Sequence, residues 1–176
     1  MGEGFWRTEV IAAFQHLGDP ISRRIAERAG RAYALHVLPS EDFAAKVAAR
    51  HFREGRRHFP DPQIQNAVFF RLGEPGLYVR SRPLDLAWNL RPADVLFQVA
   101  AIVAQEDRHA EDLESEAPAW TEEAHFAMEL RGHAVEFLFR AFHGDIGPLS
   151  RMTHGSFLGF AMAFRDLYER LYRPVM

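Results

Sequence analysis

Residues 92–114, PADVLFQVAAIVAQEDRHAEDLE, decide the fold prediction. Apolar side chains recur here three or four residues apart, through Val95, Val99 and Ile102 and again at Leu113. This spacing is typical of one buried face of an α-helix. Pro92 fits the first turn, where a helix needs no backbone N–H donor. The stretch therefore predicts a long amphipathic helix.

The same periodicity predicts further helices over residues 8–17, 21–38, 40–58, 118–143 and 149–172. Residues 67–80 break the pattern, since they join an aromatic, β-branched run to a turn signal, Gly73-Glu74-Pro75-Gly76. They fit either a β-hairpin or a short helix over 62–72 followed by a loop. We therefore predict an all-α protein, a bundle of about six helices, with one hairpin near residues 67–80 as the open alternative.

Composition excludes several classes of function. The chain has 176 residues, 48% of them apolar, and no cysteine, which excludes disulfides, thiolate metal sites and cysteine nucleophiles. Neither a Gly-rich phosphate loop nor a Gly-x-Ser-x-Gly elbow occurs, so nucleophilic hydrolysis has no support. No apolar run is long enough for a membrane span, and no secretory signal pattern opens the sequence. We expect a cytoplasmic protein with no membrane partner.

Charge is distributed unequally along the chain. Residues 1–82 contain 13 Lys and Arg against 9 Asp and Glu, whereas residues 83–176 contain 8 against 15. This asymmetry either reflects helix faces that simply differ in charge, or it indicates a basic N-terminal part, 1–82, and an acidic three-helix C-terminal part, 83–176, for dimerisation or ligand binding. Both parts also fit one compact domain.

Basic residues are densest on the third predicted helix and just after it. Three helices followed by an Arg-bearing hairpin match the outline of a winged helix, in which one helix enters the major groove of duplex DNA. The alternative is a solvated helix face, since Ser, Thr, Asn and Gln are absent from residues 41–58. The candidate DNA-binding residues are Lys46, Arg50, Arg53, Arg56, Arg57, Arg71, Arg80 and Arg82.

Histidine and glutamate on apolar helix faces suggest a transition-metal site instead. Glu106 lies on the face of Val95 and Val99, with His109 three residues later. A Glu-x-x-His pair on an inward face is how some helical bundles hold metal. His51 or His58 would complete the ligand set, although buried structural histidines are the alternative.

A second polar strip lies on the predicted helix 118–143. It is either the solvent edge of a mostly buried helix or the lining of a ligand cavity or metal site. Its members fall within about 80° of arc and are Glu122, His125, Glu129, His133, Glu136 and Arg140.

The last predicted helix has two faces. Gly155, Gly159 and Ala163 recur every four residues, which suits a homodimer seam or close packing within one chain. The apolar stripe on its other side is Phe157, Phe160, Phe164, Leu167 and Leu171.

The sequence thus supports three functional hypotheses. The first is a small DNA-associated regulator, probed by the salt dependence of duplex binding. The second is a metal-binding bundle protein or enzyme. The third is a non-catalytic partner-binding adaptor or chaperone.

Overall fold

The computed structural model describes residues 3–53, 66–71, 73–81, 92–115 and 121–144. These residues are mostly helical, with a small three-stranded sheet. The helices are α1 (Glu3–Leu17), α2 (Pro20–Arg28), α3 (Ser40–Arg53), α4 (Pro92–Ser115) and α5 (Glu122–Phe142), and the strands are β1 (Ala34–Leu38), β2 (Ala67–Phe70) and β3 (Gly76–Arg80). The predicted helix 149–172 and the boundary at residue 82 lie outside the described residues.

The sheet has the strand order β1-β3-β2. β2 and β3 are antiparallel neighbours in sequence, whereas β1 is parallel to β3. The expectation of at most one hairpin was therefore too narrow, because a third strand extends the pair into a mixed sheet.

The prediction of one helix over residues 21–38 is wrong. α2 ends at Arg28, and Gly30 adopts a left-handed φ of 88° that glycine tolerates without steric cost. In β1, Leu35 and Val37 alternate with less buried neighbours and pack in the main core. A sequence window that contains both α2 and β1 still shows apolar residues at helical spacing. The change from the helical period to the strand period was therefore not visible in the sequence.

The two faces of the sheet bury separate apolar clusters. Leu35, Val37, Phe69, Leu77 and Val79 join side chains from α1 and α4 in the main core. Phe43 and Val47 of α3 pack with Leu38, Val68 and Phe70 in the other cluster. The sheet therefore lies between α3 and the helices of the main core.

α4 and α5 form the longest helix pair among the described residues. Asp112 meets Arg131, Gln105 meets His133, and Gln98 meets Arg140, so the two helices are antiparallel. α5 begins at Glu122 rather than at Pro118, because the Thr121 hydroxyl caps it by accepting the Ala124 N–H at 3.2 Å. In the described ranges, no helix is long and apolar enough to cross a membrane.

Candidate functional site

The described members of the basic set proposed to contact DNA differ in their exposure. Arg80 is only 6% exposed, and its guanidinium lies 4.9 Å from the centre of the Phe43 ring. Arg50 donates to the Glu74 carbonyl at 2.7 Å and lies over Phe70. Lys46 and Arg71 are exposed. The side chain of Arg53, together with Arg56, Arg57 and Arg82, lies outside the described residues.

The order of elements also departs from the expected winged-helix outline. β1 separates α2 from α3, so the two helices are not joined by a short turn. The apolar face of α3 is used against the sheet. Arg80 is buried there because its long side chain covers Phe43, a role that charge counting along a sequence does not detect.

The residues proposed as metal ligands are only partly brought together. Glu106 and His109 are neighbours on α4 and both are buried. His51 is 1% exposed and packs edge-on against Phe70, in the cluster on the α3 side of the sheet. The sheet therefore separates His51 from the Glu106–His109 pair, and His58 lies outside the described residues.

The neighbours of His109 come instead from the polar strip on α5. Glu106 Oε2 lies 3.5 Å from His109 Nδ1 on one side. On the other side, Glu129 Oε2 lies 3.8 Å from His109 Nε2, and Glu129 Oε1 lies 3.6 Å from His125 Nε2. Two separate sequence patterns, the Glu-x-x-His pair and the α5 strip, thus meet at one buried place, which we call the His109 site (Glu106, His109, His125 and Glu129).

Gly132 makes room for the His109 ring between the helices. A Cβ atom added at Gly132 would overlap His109 Nε2 and come within 2.8 Å of its Cδ2 and 3.1 Å of Gln105 Cγ. A helical glycine normally destabilises a helix, so its presence here has a packing reason. Sequence reasoning missed Gly132, although an isolated glycine inside a helical pattern was a signal that could have found it.

The site carries a buried positive charge balanced by carboxylates. Burial alone would lower the pKa of His109, but the charges of Glu129 and Glu106 outweigh it and raise the pKa to about 9. The imidazole is therefore protonated at neutral pH in this arrangement. Among the described residues, the buried His109 Nε2 nevertheless has no hydrogen-bond partner, since Glu129 remains 3.8 Å away.

Polar contacts continue along the interface between α4 and α5 towards the end of α5. His133 Nδ1 lies 3.2 Å from Glu136 Oε2, and Arg140 Nε donates to Glu136 Oε1 at 2.9 Å. Burial would raise the pKa of Glu136, but His133 and Arg140 hold it below its usual range. Arg140 also donates to Gln98 at 2.7 Å, which connects this seam to α4.

A second buried cluster surrounds Asp107 on another face of α4. Asp107 Oδ1 accepts from Arg28 Nε at 2.9 Å and from the Tyr33 hydroxyl at 2.8 Å. Arg28 also makes a two-pronged contact with Glu114. Burial and the Asp107 charge raise the pKa of Tyr33, so Tyr33 remains a neutral donor. This cluster fastens α2 and the start of β1 to α4, and its geometry suggests no further chemistry.

Across the described residues, no group of three or more His, Asp or Glu side chains stands close enough together to hold a metal ion without movement. The His109 site therefore offers ligand types of the right chemistry, but the side chains are not arranged for coordination. The predicted dimer residues Gly155, Gly159 and Ala163 lie outside the described residues.

Comparison with known proteins adds no identification. No protein family, no curated protein and no solved structure matches this chain.

Proposed function

We propose that this chain binds a divalent transition-metal ion between α4 and α5, with His109 Nε2, the Glu129 carboxylate and His125 Nε2 as ligands. One observation carries the proposal. His109 is 6% exposed, and its buried Nε2 makes no hydrogen bond to any described residue while it faces a carboxylate from the neighbouring helix. Buried polar atoms are normally satisfied, so such an atom needs an explanation.

Two separations in the site can be compared with those around a bound ion. A tetrahedral ion with ligands at about 2.0–2.1 Å places those ligands about 3.4 Å apart. The distances from Glu129 oxygens to His109 Nε2 and His125 Nε2 are 3.8 and 3.6 Å. The two distances go to different Glu129 oxygens, so binding of one ion by all three side chains would also require the two histidine rings to move around that carboxylate.

Glu106 supports the proposal as a partner of the ligand rather than as a ligand. Its carboxylate faces His109 Nδ1 at 3.5 Å, on the side of the ring away from Glu129. Histidine ligands commonly donate their second ring nitrogen to a carboxylate, which fixes the tautomer and the ring orientation. A bound cation at Nε2 would replace the positive charge that the protonated ring now places between these carboxylates.

Titration of the metal-stripped full-length protein with Co²⁺ tests this function, because Co²⁺ bound to histidine and carboxylate gives a visible absorption band. We expect a band that saturates at one equivalent and is lost in His109→Gln and in Glu129→Gln. His16→Gln is the matched control, since His16 is exposed on α1. A folded wild-type protein without the band, or a band that survives both substitutions, would overturn the proposal.

A DNA-associated regulator is the second candidate, supported by the exposure of Lys46 and Arg71 on the basic N-terminal part. Fluorescence anisotropy with a labelled duplex tests it. Contacts with several phosphates predict affinity that falls steeply between about 50 and 200 mM salt. Absence of binding at the lower concentration would exclude this candidate. Lys46→Ala should weaken binding to all sequences alike, and Arg80→Ala should act through stability.

A further inference from the structure

The first two helices, α1 and α2, form an open groove on the surface. The chain reverses between them at Gly18, whose φ of 66° lies in the left-handed region. α2 then runs back along α1, because Arg7 Nη2 lies 3.7 Å from where a Cβ atom of Gly30 would lie, just beyond the end of α2. The groove has a volume of about 380 Å³, and we call it the α1–α2 groove. It is lined by Gln15, Arg23, Ala26, Glu27, Ala29 and Arg31.

Small side chains form the floor of this groove. Ala26 and Ala29 are half-buried and pack against the main core, whereas the other four lining residues are exposed. The volume of about 380 Å³ is at the lower end of the range for small-molecule sites, about 300–1,000 Å³. The groove therefore has room for one compact ligand above the two alanines.

Three arginine side chains border the groove. Arg23 and Arg31 line it, and Arg7 lies at its end. In the part of the chain that the structure describes, none of these three side chains makes a hydrogen bond or an ion pair. Arg24 and Arg28, on another side of α2, are instead paired with carboxylates of α4. The arginines at the groove thus keep their hydrogen-bond donors available to a ligand.

The charge at the groove indicates what kind of ligand it would take. Three guanidinium groups against the one carboxylate of Glu27 leave two net positive charges there. A concave surface with an excess of one charge concentrates ions of the opposite sign. Arginine also binds phosphate and carboxylate groups through two parallel hydrogen bonds. The groove therefore favours a small dianion.

We propose that the α1–α2 groove binds a small phosphate monoester. Such a molecule carries a charge close to −2 on one group at neutral pH, and the arginines can surround that group. The rest of the molecule is neutral, so its hydroxyl groups can hydrogen-bond to Glu27 and to the Gln15 amide. A dicarboxylate of equal charge has an anionic group at each end, and its second end would approach Glu27.

Isothermal titration calorimetry of the full-length, metal-stripped protein with glycerol 3-phosphate tests this proposal. We expect binding that saturates at one equivalent. Arg23→Gln and Arg31→Gln should each weaken it about five-fold, because each removes one charged contact at an exposed site. Arg71→Gln is the matched control, since Arg71 is exposed outside the groove and its loss changes the net charge equally. It should bind as tightly as the wild type, and circular dichroism checks that every variant is folded.

Absence of binding by the folded wild-type protein at millimolar glycerol 3-phosphate would overturn the proposal. Equal weakening in Arg71→Gln would also overturn it, because the protein would then respond to net charge alone. The same holds for binding that survives both groove substitutions, and for equal affinity towards succinate, a dicarboxylate of the same charge. Binding of a DNA duplex that is lost in Arg23→Gln, without binding of glycerol 3-phosphate, would assign the surface to a polyanion instead. The protein carries no metal in this experiment, so this proposal and the metal site can fail separately.

Discussion

Gly132→Ala is the substitution that most sharply probes the packing of the His109 site. The new methyl group would overlap His109 Nε2 and lie 3.1 Å from Gln105 Cγ. The ring cannot move freely, because it is buried between Glu106 and Glu129. The expected result is therefore set by two opposing effects.

The first effect is favourable, since alanine in a helix interior is about 1 kcal/mol more stable than glycine. The second is overpacking, which costs about 1–3 kcal/mol in a filled core. We expect Gly132→Ala to lower the free energy of unfolding by about 0–2 kcal/mol. Because the methyl group displaces Nε2, we also expect weaker Co²⁺ binding.

Gly4→Ala is the matched control, because Gly4 is a helical glycine whose added Cβ would meet nothing within 4 Å. It should leave stability unchanged or raise it by up to about 1 kcal/mol. Urea denaturation followed by circular dichroism measures both variants, provided that their m-values agree with the wild type. If Gly132→Ala were as stabilising as Gly4→Ala, the proposed packing around His109 would be refuted.

Two further predictions concern the polar clusters. Asp107→Ala leaves Arg28 and Tyr33 without their buried carboxylate, so we expect a loss of about 3–5 kcal/mol of stability by urea denaturation. Glu111→Ala, which breaks half-exposed ion pairs one turn later, should cost less than about 1 kcal/mol; equal losses would contradict the role of Asp107. Asp19 caps α2 and meets His143 at 2.9 Å, so Asp19→Ala should cost about 0.5–2 kcal/mol at neutral pH. Burial would raise the pKa of Asp19, but its contacts with Ser22, His143 and Ile21 outweigh burial and lower the pKa below 3.8. The stability that Asp19 contributes is therefore fully present above pH 3.8 and is lost as the pH falls through the lowered pKa. Denaturation curves from neutral to acid pH should show the two proteins converging, and a constant difference would be inconsistent with this pKa.

The long helices were predictable because their periodicity is uninterrupted. α4 begins at Pro92 as the sequence predicts, and α5 ends close to its predicted limit. The failure at residues 21–38 has a physical cause. α2 and β1 are both short, and only a few residues around Gly30 separate them. A sequence window long enough to detect periodicity therefore combines the helical period of α2 with the strand period of β1.

The candidate site was predictable in its parts and not in its assembly. The Glu106–His109 pair and the strip containing His125 and Glu129 were visible as patterns, and the structure brings them together. Their pairing depends on the register of α4 against α5, which is set by Gly132 and the surrounding packing. His51 lies on the α3 side of a sheet that the sequence did not reveal, in a different cluster from the core that α4 joins.

Nuclear magnetic resonance of the histidine ring nitrogens tests the proposed metal site most directly. Spectra of ¹⁵N-labelled, metal-stripped protein are recorded before and after one equivalent of Zn²⁺, with each ring assigned by substitution. We predict that the Nε2 resonances of His109 and His125 shift to values typical of metal-bound imidazole, while His16 and His51 do not change. Shifts confined to other histidines, or none at all, would contradict metal binding between α4 and α5.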